Sequence, residues 1–544
     1  MSLLLISSCT YAGEVAWLDE KQNLHTHSFD KTALHSDFKD GKIPLGSLWK
    51  LFTYLYLVDT EAREEPYVCS GDLHVQKEEQ YCCTEGSSID RDRALSRSCG
   101  LYFDPKRLNI DPKMWESYWE NKKQLTSIRD LESLKPETKI DLKELLSVLQ
   151  SASHQGRLQA RKAMLETSLS GYGRYATDDL GSGVRYKTYS WHKEDNSAFG
   201  GAAGWSAGGN PFWFGGAGNS QLALKTDAKE LGKVLTAIDK THSPLLEEEC
   251  VDVDFFAQYP LKSIRTKEGT SVDSGMLVGG FSLEFFNGNR IAINTKEPLG
   301  IDKTDEGLRL KGRFGLNHYV ARVIDREADT TYPSAAYALG VAARTYLFQN
   351  GHFEKGCWHI TDSTRTQRVS PNSPSAEALQ ASRFTDELVL KGPPIYYHAD
   401  DAGLNRLSWE EAQEQAQRGW SYQQILSHAY PESEIQTIDQ RSACTRLFES
   451  EKWLKNSIVK WNRTLSREDG YEPLEVLPNI CFLPNGHPYS DQKSLRIYTR
   501  GGNTLNDKMT LAHEYIHLAF RFHPNGSDEA YVEHLAQTLI GENQ

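Results

Sequence analysis

The residues best suited to chemistry lie near the end of the chain, in the stretch LAHEYIHLAF from Leu511 to Phe520. His513 and His517 are four residues apart, so on a helix both imidazoles point to the same side and can bind one metal ion. Glu514 lies beside them, where its carboxylate can act as a base toward water. The pattern predicts a Zn2+ site with Glu514 as the catalytic residue of a peptidase. Two surface histidines on an amphipathic helix are the alternative.

A zinc site needs a third protein ligand, and the sequence offers two candidates. His523 follows His517 by six residues, which is the spacing of metzincin peptidases, but a phenylalanine stands where that group has a glycine. The stretch SDEAYVEHLAQTLI predicts a second helix instead, and it resembles the gluzincin peptidases, whose third ligand is a glutamate on the following helix. This resemblance implies Glu529 as the third ligand, with Glu533 or His534 orienting the others.

A second reactive arrangement occurs near the start of the chain, in IPLGSLWKLFTYLYLVD. Ser47 begins an apolar helix, and Lys50 follows three residues later on the same face. A lysine that is buried by such a helix loses affinity for its proton and can accept the proton of a serine hydroxyl, which makes the hydroxyl a nucleophile. The spacing alone is a weak signal, because many helices contain it by chance.

Two later stretches resemble the penicillin-binding proteins and β-lactamases. SRSCGLYF places Ser98 and Gly100 in the position of that family's Ser-x-Asn element, and YKTYSW places Lys187 and Thr188 in the position of its Lys-Thr-Gly strand. The resemblance implies Lys187 as a further catalytic residue and Ser98 and Thr188 as substrate-binding residues. Gly100 replaces the family's asparagine and Tyr189 replaces its glycine. A working acyl-enzyme and a fold that only binds stem peptides therefore both remain open.

The middle of the chain contains a glutamate between two predicted helices, in LNHYVARVIDREADTTYPSAAYALGVAARTYLFQNG. Apolar residues from Tyr319 to Ile324 repeat at helical spacing and then stop, and a turn containing Pro333 precedes an Ala-rich helix that begins at Ser334. Glu327 lies at the end of the first helix. A carboxylate in that position is either an ordinary solvated residue or a catalytic acid.

The same stretch resembles the SpoIID/LytB family of lytic transglycosylases. Glu327, Pro333 and Arg344 match the family's Glu, Pro and Ala-Ala-Arg-Thr-Tyr positions, and WHITDSTRTQRV matches its Asp-Thr-Thr-x-x-Gln element with Gln367. The resemblance implies that Glu327 protonates the glycosidic oxygen while the sugar's own 6-hydroxyl attacks, and that Arg344 and Gln367 bind substrate. The family's HGxGMSQ loop corresponds to HADDAGLNRLSWEEA, which keeps His398 and Gly403 but lacks the glutamine.

Length and composition limit the number and the class of domains that can contain these sites. A chain of 544 residues is too long for one core. The motif positions predict a penicillin-binding-like domain at 14–245, a SpoIID-like domain at 250–438 and a zincin-like domain at 439–544, in a multidomain protein of α+β and α/β class. The formal charge of −13 argues against nucleic acid as a partner. No run of about 20 apolar residues predicts a membrane span.

The N-terminal stretch MSLLLISSCTYAG resembles the tail of a secretory signal, and ISSC can also be interpreted as a lipoprotein cleavage site at Cys9. A first buried strand is the alternative. The sequence therefore predicts a periplasmic or otherwise exported protein, whose nine cysteines would meet an oxidising compartment. The plausible bridges are Cys69 with Cys82 or Cys83, and Cys444 with Cys481.

Together the three sites predict an enzyme that processes peptidoglycan, with glycan strands as the substrate of Glu327 and stem peptides as substrates of Ser47 and the zinc site. The alternative is a zinc peptidase that acts on proteins or stem peptides, with the first two domains as non-catalytic peptidoglycan-binding modules. A scaffold without catalysis is a third interpretation. The arrangement also looks like the bacterial YfaQ-type envelope proteins, a resemblance that implies a partnership with bacterial α2-macroglobulins. The sequence gives no indication of the oligomeric state.

Overall fold

The chain folds into two compact units, Met1–Leu246 and Glu247–Gln544. Both units mix helices and strands, so the protein is a multidomain α+β protein. Within the part of the chain that the structure covers, no helix is both long and apolar enough to cross a bilayer. The computed structural model describes residues 13–29, 41–72, 75–122, 126–169, 174–192, 197–241, 249–363, 367–397, 406–437, 447–474, 477–483, 488–491, 496–502, 504–521 and 523–541.

The first unit packs helices against both faces of an antiparallel sheet. Its strands are β1 (Glu14–Leu18), β2 (Leu24–Ser28), β3 (Lys42–Pro44), β4 (Tyr67–Val68), β5 (Ser88–Ile89), β6 (Lys139–Asp141), β7 (Arg185–His192), β8 (Ala198–Trp205) and β9 (Pro211–Ala217). Its helices are α1 (Trp49–Asp59), α2 (Gln76–Glu79), α3 (Arg91–Arg97), α4 (Pro112–Asn121), α5 (Leu142–Ser151), α6 (His154–Leu169), α7 (Arg174–Leu180) and α8 (Ser220–Thr241). The main sheet has the order β2-β1-β9-β8-β7.

Two apolar cores lie on the two faces of this sheet. Tyr189 of β7 packs into the core that contains Phe52 of α1, whereas Tyr186 packs into the core that contains Leu231 of α8. Successive side chains of a strand point to opposite faces. Lys187 therefore lies on the same face as Tyr189, toward α1, and this alternation places it near the predicted serine site.

The second unit begins with a large sheet, which residues 250–361 form. Its strands are β10 (Cys250–Phe255), β11 (Leu261–Thr266), β12 (Ser271–Val272), β13 (Gly275–Phe285), β14 (Arg290–Thr304), β15 (Gly307–Gly315), β16 (His352–Glu354) and β17 (Cys357–Thr361). The order is β12-β11-β13-β14-β15-β10-β17-β16. β10 and β17 run parallel, so their carboxyl ends meet at one end of the sheet.

Helices and short strands follow this sheet and complete the middle of the chain. Tyr319 and Ile324 are fully buried, as the helical spacing of the apolar residues predicts. The second predicted helix begins at Pro333, one residue before Ser334. The helices are α9 (Leu316–Glu327), α10 (Pro333–Asn350), α11 (Ala376–Phe384), α12 (Trp409–Gln417) and α13 (Tyr422–Ala429), and the strands are β18 (Leu388–Lys391), β19 (Tyr396–Tyr397), β20 (Arg406–Leu407) and β21 (Glu434–Thr437).

The last part of the chain packs three helices with a three-stranded sheet. The helices are α14 (Phe448–Leu465), α15 (Leu505–Ala519) and α16 (Glu529–Gly541), and the strands are β22 (Asn479–Phe482), β23 (Tyr489–Asp491) and β24 (Arg496–Thr499). The sequence SLRIYTRGG suggests the edge strand of a peptidase, but this prediction is wrong. β24 lies between β22 and β23, and β23 is the strand at the edge next to α15 in the described residues.

Disulfide bonds occur in both units. Cys69 pairs with Cys83, which is one of the two partners that the sequence allows. Two further bridges join Cys82 to Cys99 and Cys250 to Cys357. Cys481 is also disulfide-bonded, whereas Cys444 and Cys9 lie outside the described residues. Bridges of this number are typical of proteins that fold in an oxidising compartment.

Candidate active sites

Helices α15 and α16 bring the three predicted metal ligands together. The Nε2 atoms of His513 and His517 lie 3.1 Å apart. One carboxylate oxygen of Glu529 lies 3.3 Å from His513 Nε2, and the other lies 3.6 Å from His517 Nε2. Two donors that each bind a tetrahedral zinc ion at 2.0–2.1 Å are about 3.4 Å from each other. The spacing of these three donors therefore fits a metal ion.

Further contacts hold both imidazoles in the required orientation. His513 Nδ1 lies 3.2 Å from the Glu533 carboxylate, which in turn accepts a hydrogen bond from Gln537 at 2.9 Å. His517 Nδ1 lies 2.7 Å from the carbonyl oxygen of Gly526. An acceptor thus faces each Nδ1. With a proton on each Nδ1, the Nε2 lone pairs of both rings would be left to bind one metal ion together with Glu529. Glu533 thus has the orienting role, rather than the exposed His534.

Glu514 lies on the same helix, one residue after His513, and is only 7% exposed. Burial raises the pKa of its carboxyl group, and Ser490 of β23 donates a hydrogen bond to it. The other candidate ligand, His523, lies elsewhere: its ring packs over Gly470 and accepts a hydrogen bond from the backbone of Asn525. Between the two candidates for the third donor, the geometry therefore favours Glu529.

The serine site is assembled from three segments. Ser47 lies in the 3-10 turn Gly46–Leu48, Lys50 lies in the helix α1 that follows it, and Ser98 is the residue directly after α3. Lys50 Nζ donates to Ser47 Oγ at 3.2 Å and to Ser98 Oγ at 3.1 Å. Burial lowers the pKa of Lys50 to about 8. Ser98 has a left-handed backbone with φ of 63°, which is uncommon for a residue other than glycine and tends to occur at functional sites. Gly46 also has a positive φ of 48°, and its missing Cβ leaves room for the carbonyl of Ser190.

Strand β7 borders this serine site. Lys187 is fully buried and donates to the carbonyl of Thr188 at 3.0 Å; burial and then the charge of Lys50 lower its pKa well below the usual value. The side chain of Thr188 lies on the opposite face of the strand, so the substrate contact expected of it is not supported. Gly100 faces the site, because a Cβ there would lie 3.6 Å from Cε of Lys50.

Glu327 ends α9 and is half-buried. One of its oxygens accepts the backbone N–H of Arg368 at 2.9 Å. The two predicted substrate-binding residues, Arg344 and Gln367, are fully buried. Arg344 donates to Asn317 and to backbone carbonyls, while Gln367 donates to the carbonyl of Ala343 and accepts from Tyr319. These positions favour a structural role over the substrate contact expected from the sequence. Thr364, His398 and Gly403 lie outside the described residues.

Sequence patterns did not identify two contributors to the candidate metal site. The carbonyl of Gly526 carries no side-chain signal, and Ser490 belongs to a three-residue strand whose position depends on pairing with β24. Only the SDEAYVEH pattern pointed to the helix that supplies Glu529 and Glu533. Such contacts become visible only once the packing of α15, α16 and β23 is known.

These elements and sites define a multidomain α+β protein with disulfide bonds. A family described as "Predicted secreted protein (DUF2300)" matches residues 75–198 and 405–525, and this description confirms the predicted export. The uncharacterised protein YfaQ of Escherichia coli strain K12 is 40% identical over 501 residues, which cover 91% of this chain and 89% of YfaQ. The chain therefore belongs to the YfaQ family of predicted secreted proteins.

Several solved structures resemble part of the chain. A class D β-lactamase from Sebaldella termitidis is 15% identical, with 42% of this chain and 89% of that chain covered and a TM-score of 0.27. The C-terminal domain of the Bacillus licheniformis BlaR penicillin-receptor is 13% identical, with coverages of 42% and 91% and a TM-score of 0.28. At these sequence identities and TM-scores, neither similarity supports a conclusion about activity.

Proposed function

We propose that this protein is an exported peptidoglycan-processing enzyme whose C-terminal site is a zinc-dependent peptidase. The observation that carries the proposal is the convergence of His513, His517 and Glu529 at donor separations that suit a tetrahedral ion. Glu533 and a backbone carbonyl orient the two imidazoles, as acceptors commonly do around bound zinc. Two unrelated surface histidines would not require this supporting shell.

The chemistry divides between the ion and the chain. His513, His517 and Glu529 would hold a zinc ion, which would supply a Lewis acid for the carbonyl of the scissile peptide bond. Glu514 takes a proton from the attacking water and passes it to the leaving nitrogen. Ser490 holds the Glu514 carboxylate toward β23. An extended peptide laid beside this edge strand would bring its backbone to Glu514, which favours a peptide as substrate.

Metal content tests the proposed centre directly. Purified protein is expected to contain one zinc ion per chain, and His513→Ala and Glu529→Gln are each expected to lower its affinity for zinc by about 100-fold or more, because each removes a direct ligand. Inductively coupled plasma mass spectrometry after dialysis against a weak chelator measures the change.

Two histidine variants serve as controls for that measurement. His534→Ala removes an exposed imidazole from the same helix as Glu529, and His523→Asn removes the alternative ligand while an asparagine keeps the capping interaction. Both are expected to retain zinc. Loss of zinc in His523→Asn with retention in Glu529→Gln would contradict the assignment of Glu529.

Serine acyl transfer is a second candidate activity, favoured by the position of Lys50 between two hydroxyls. Ser47 and Ser98 are both half-buried, so Ser47 can be reached by a substrate while buried Lys50 serves as its base. Stem peptides of peptidoglycan are the substrates that this chemistry suits.

Glycan cleavage at Glu327 is the third part of the proposal. The half-buried carboxylate at the end of α9 keeps one oxygen in contact with the Arg368 amide, and it lies where the family resemblance locates the general acid. Glu327→Gln is expected to reduce anhydro-muramyl products by about 100-fold or more, because a general acid contributes that much. Liquid chromatography with mass spectrometry of digested glycan measures these products.

The control for this measurement is Glu354→Gln, which removes a 53% exposed carboxylate from β16 in the same unit. Equal amounts of anhydro-muramyl product from the native protein and from Glu327→Gln would contradict the proposed lytic role of Glu327. A zinc peptidase with two non-catalytic wall-binding modules would then be the better account. The partnership with an α2-macroglobulin stays a prediction.

A further inference from the structure

Four aromatic rings gather at one end of the eight-stranded sheet, where the turn after β10 meets the hairpin between β13 and β14. Tyr259 is 62% exposed and Phe286 is 65% exposed, whereas Phe256 and Phe285 are half-buried. The rings of Phe256 and Phe285 contact each other with centroids 5.3 Å apart. Neighbouring apolar rings that face solvent mark an interaction site rather than a core.

Local geometry fixes these turns against each other. A Cβ added to Gly307 would lie 3.0 Å from the ring of Phe286 and 3.3 Å from Pro260, so both turns border Gly307, and the ring contact between Phe256 and Phe285 joins them. Phe256 has a positive φ of 55°, which is unfavourable for an aromatic residue. Arg309 donates to the carbonyl of the following residue at 2.7 Å and holds the turn in this shape. Such a conformation persists when the surroundings enforce it, and it is enriched at ligand sites.

Two carboxylates, those of Asp362 and Glu327, are linked to this cluster of aromatic rings. The backbone N–H of Phe256 donates to Asp362, which follows the end of β17. Asp362 also accepts the backbone N–H of Val369 at 2.9 Å, and Glu327 accepts the N–H of Arg368, the preceding residue, at 2.9 Å. Adjacent amides thus hold Glu327 and Asp362, and Asp362 joins this pair to the aromatic rings.

This combination of aromatic rings and carboxylates suits a sugar chain as the ligand. The face of a pyranose ring that carries C–H groups packs flat on an aromatic ring, while its hydroxyl and acetamide N–H groups donate to carboxylates. A polysaccharide presents apolar sugar faces and hydrogen-bond donors along its length. The site offers aromatic rings at one end for the sugar faces and carboxylate acceptors at the other for the donors.

We propose that the rings of Phe256, Tyr259, Phe285 and Phe286, together with Asp362, form a saccharide-binding subsite for a β-1,4-linked chain of N-acetylated amino sugars. The choice of this polymer rests on the proposed function. The subsite positions the chain so that a glycosidic bond lies at Glu327, but binding does not require that Glu327 be catalytic.

Calorimetric titration with a β-1,4-linked hexamer of N-acetylglucosamine tests this subsite. The full chain carries Glu327→Gln in every sample, so that no cleavage interferes. Adding Phe286→Ala and Tyr259→Ala together is expected to weaken binding by about tenfold or more, since central aromatic contacts dominate such sites. Both side chains are largely exposed, so the double variant should keep its melting temperature.

The matched control is Phe353→Ala in the same background. Phe353 is 42% exposed and lies on β16, near the start of β10, at the opposite end of the sheet. It is expected to leave binding unchanged. Equal binding by the double variant, or no binding of the hexamer by any sample, would overturn the subsite and leave the rings as a contact for another protein. Binding that depends on the rings, in a protein whose Glu327 cleaves no glycan, would remove the lytic activity but keep the subsite.

Discussion

Replacing Glu514 by glutamine is expected to abolish peptide hydrolysis while leaving zinc binding intact. Glutamine has the size of glutamate but cannot accept a proton from water, and a positioned general base contributes about 10²- to 10⁴-fold to rate. Glu514 is not among the three converging donors, so the metal should stay. The measurement pairs zinc content with cleavage of a peptide library read by mass spectrometry, on the same preparations.

Two comparisons make the Glu514 result specific. Asp528→Asn removes a negative charge next to Glu529, and an asparagine still accepts the backbone N–H groups that Asp528 caps at the start of α16. This variant should keep both zinc and activity. Glu533→Gln should weaken zinc binding by about 10- to 100-fold, because it perturbs only the orientation of His513. Full hydrolysis by Glu514→Gln would exclude the proposed base.

Local patterns predicted much of the residue arrangement at the candidate metal site. His513 and His517 share a face because helical spacing dictates it, and the SDEAYVEH pattern gave a second helix whose first turn carries Glu529. The helical spacing of the apolar residues from Tyr319 to Ile324 likewise predicted the helix α9, on which both of these side chains are buried. For each of these residues, the sequence pattern that gave the prediction lies within one or two helical turns of the residue itself.

Properties that depend on distant partners could not be obtained this way. β24 was expected at a sheet edge, but a strand's place in a sheet depends on β22 and β23, which no local pattern specifies. Arg344 was expected to meet substrate because the resemblance to the SpoIID/LytB family implied it. Its guanidinium instead bonds to the carbonyls of Ser382 and Leu388, which lie some 40 residues away in sequence. The family resemblance identified Arg344 without revealing that its partners are internal.

The serine site leads to an equally large expected effect. Ser47→Ala should abolish covalent labelling by a fluorescent penicillin, because the nucleophile is missing, and Lys50→Met should do the same by removing the base. Labelling is read on denaturing gels at matched protein concentration. Ser190→Ala is the control, since Ser190 bonds to Ser220 on the other face of β7 and does not contact Lys50. Equal labelling of Ser47→Ala and native protein would exclude acylation at Ser47.

The pH dependence of that labelling separates a basic Lys50 from one that only positions Ser47. Lys50 has a pKa of about 8 because burial penalises its charged form, with Glu78 acting weakly in the opposite direction. Burial and then the charge of Lys50 lower the pKa of the neighbouring Lys187 well below its usual value. Only the uncharged amine accepts a proton, and its fraction rises from about a tenth at pH 7 to about nine tenths at pH 9. The labelling rate should therefore rise about tenfold over this range, and a flat profile would mean that the Lys50 amine does not take the proton of Ser47.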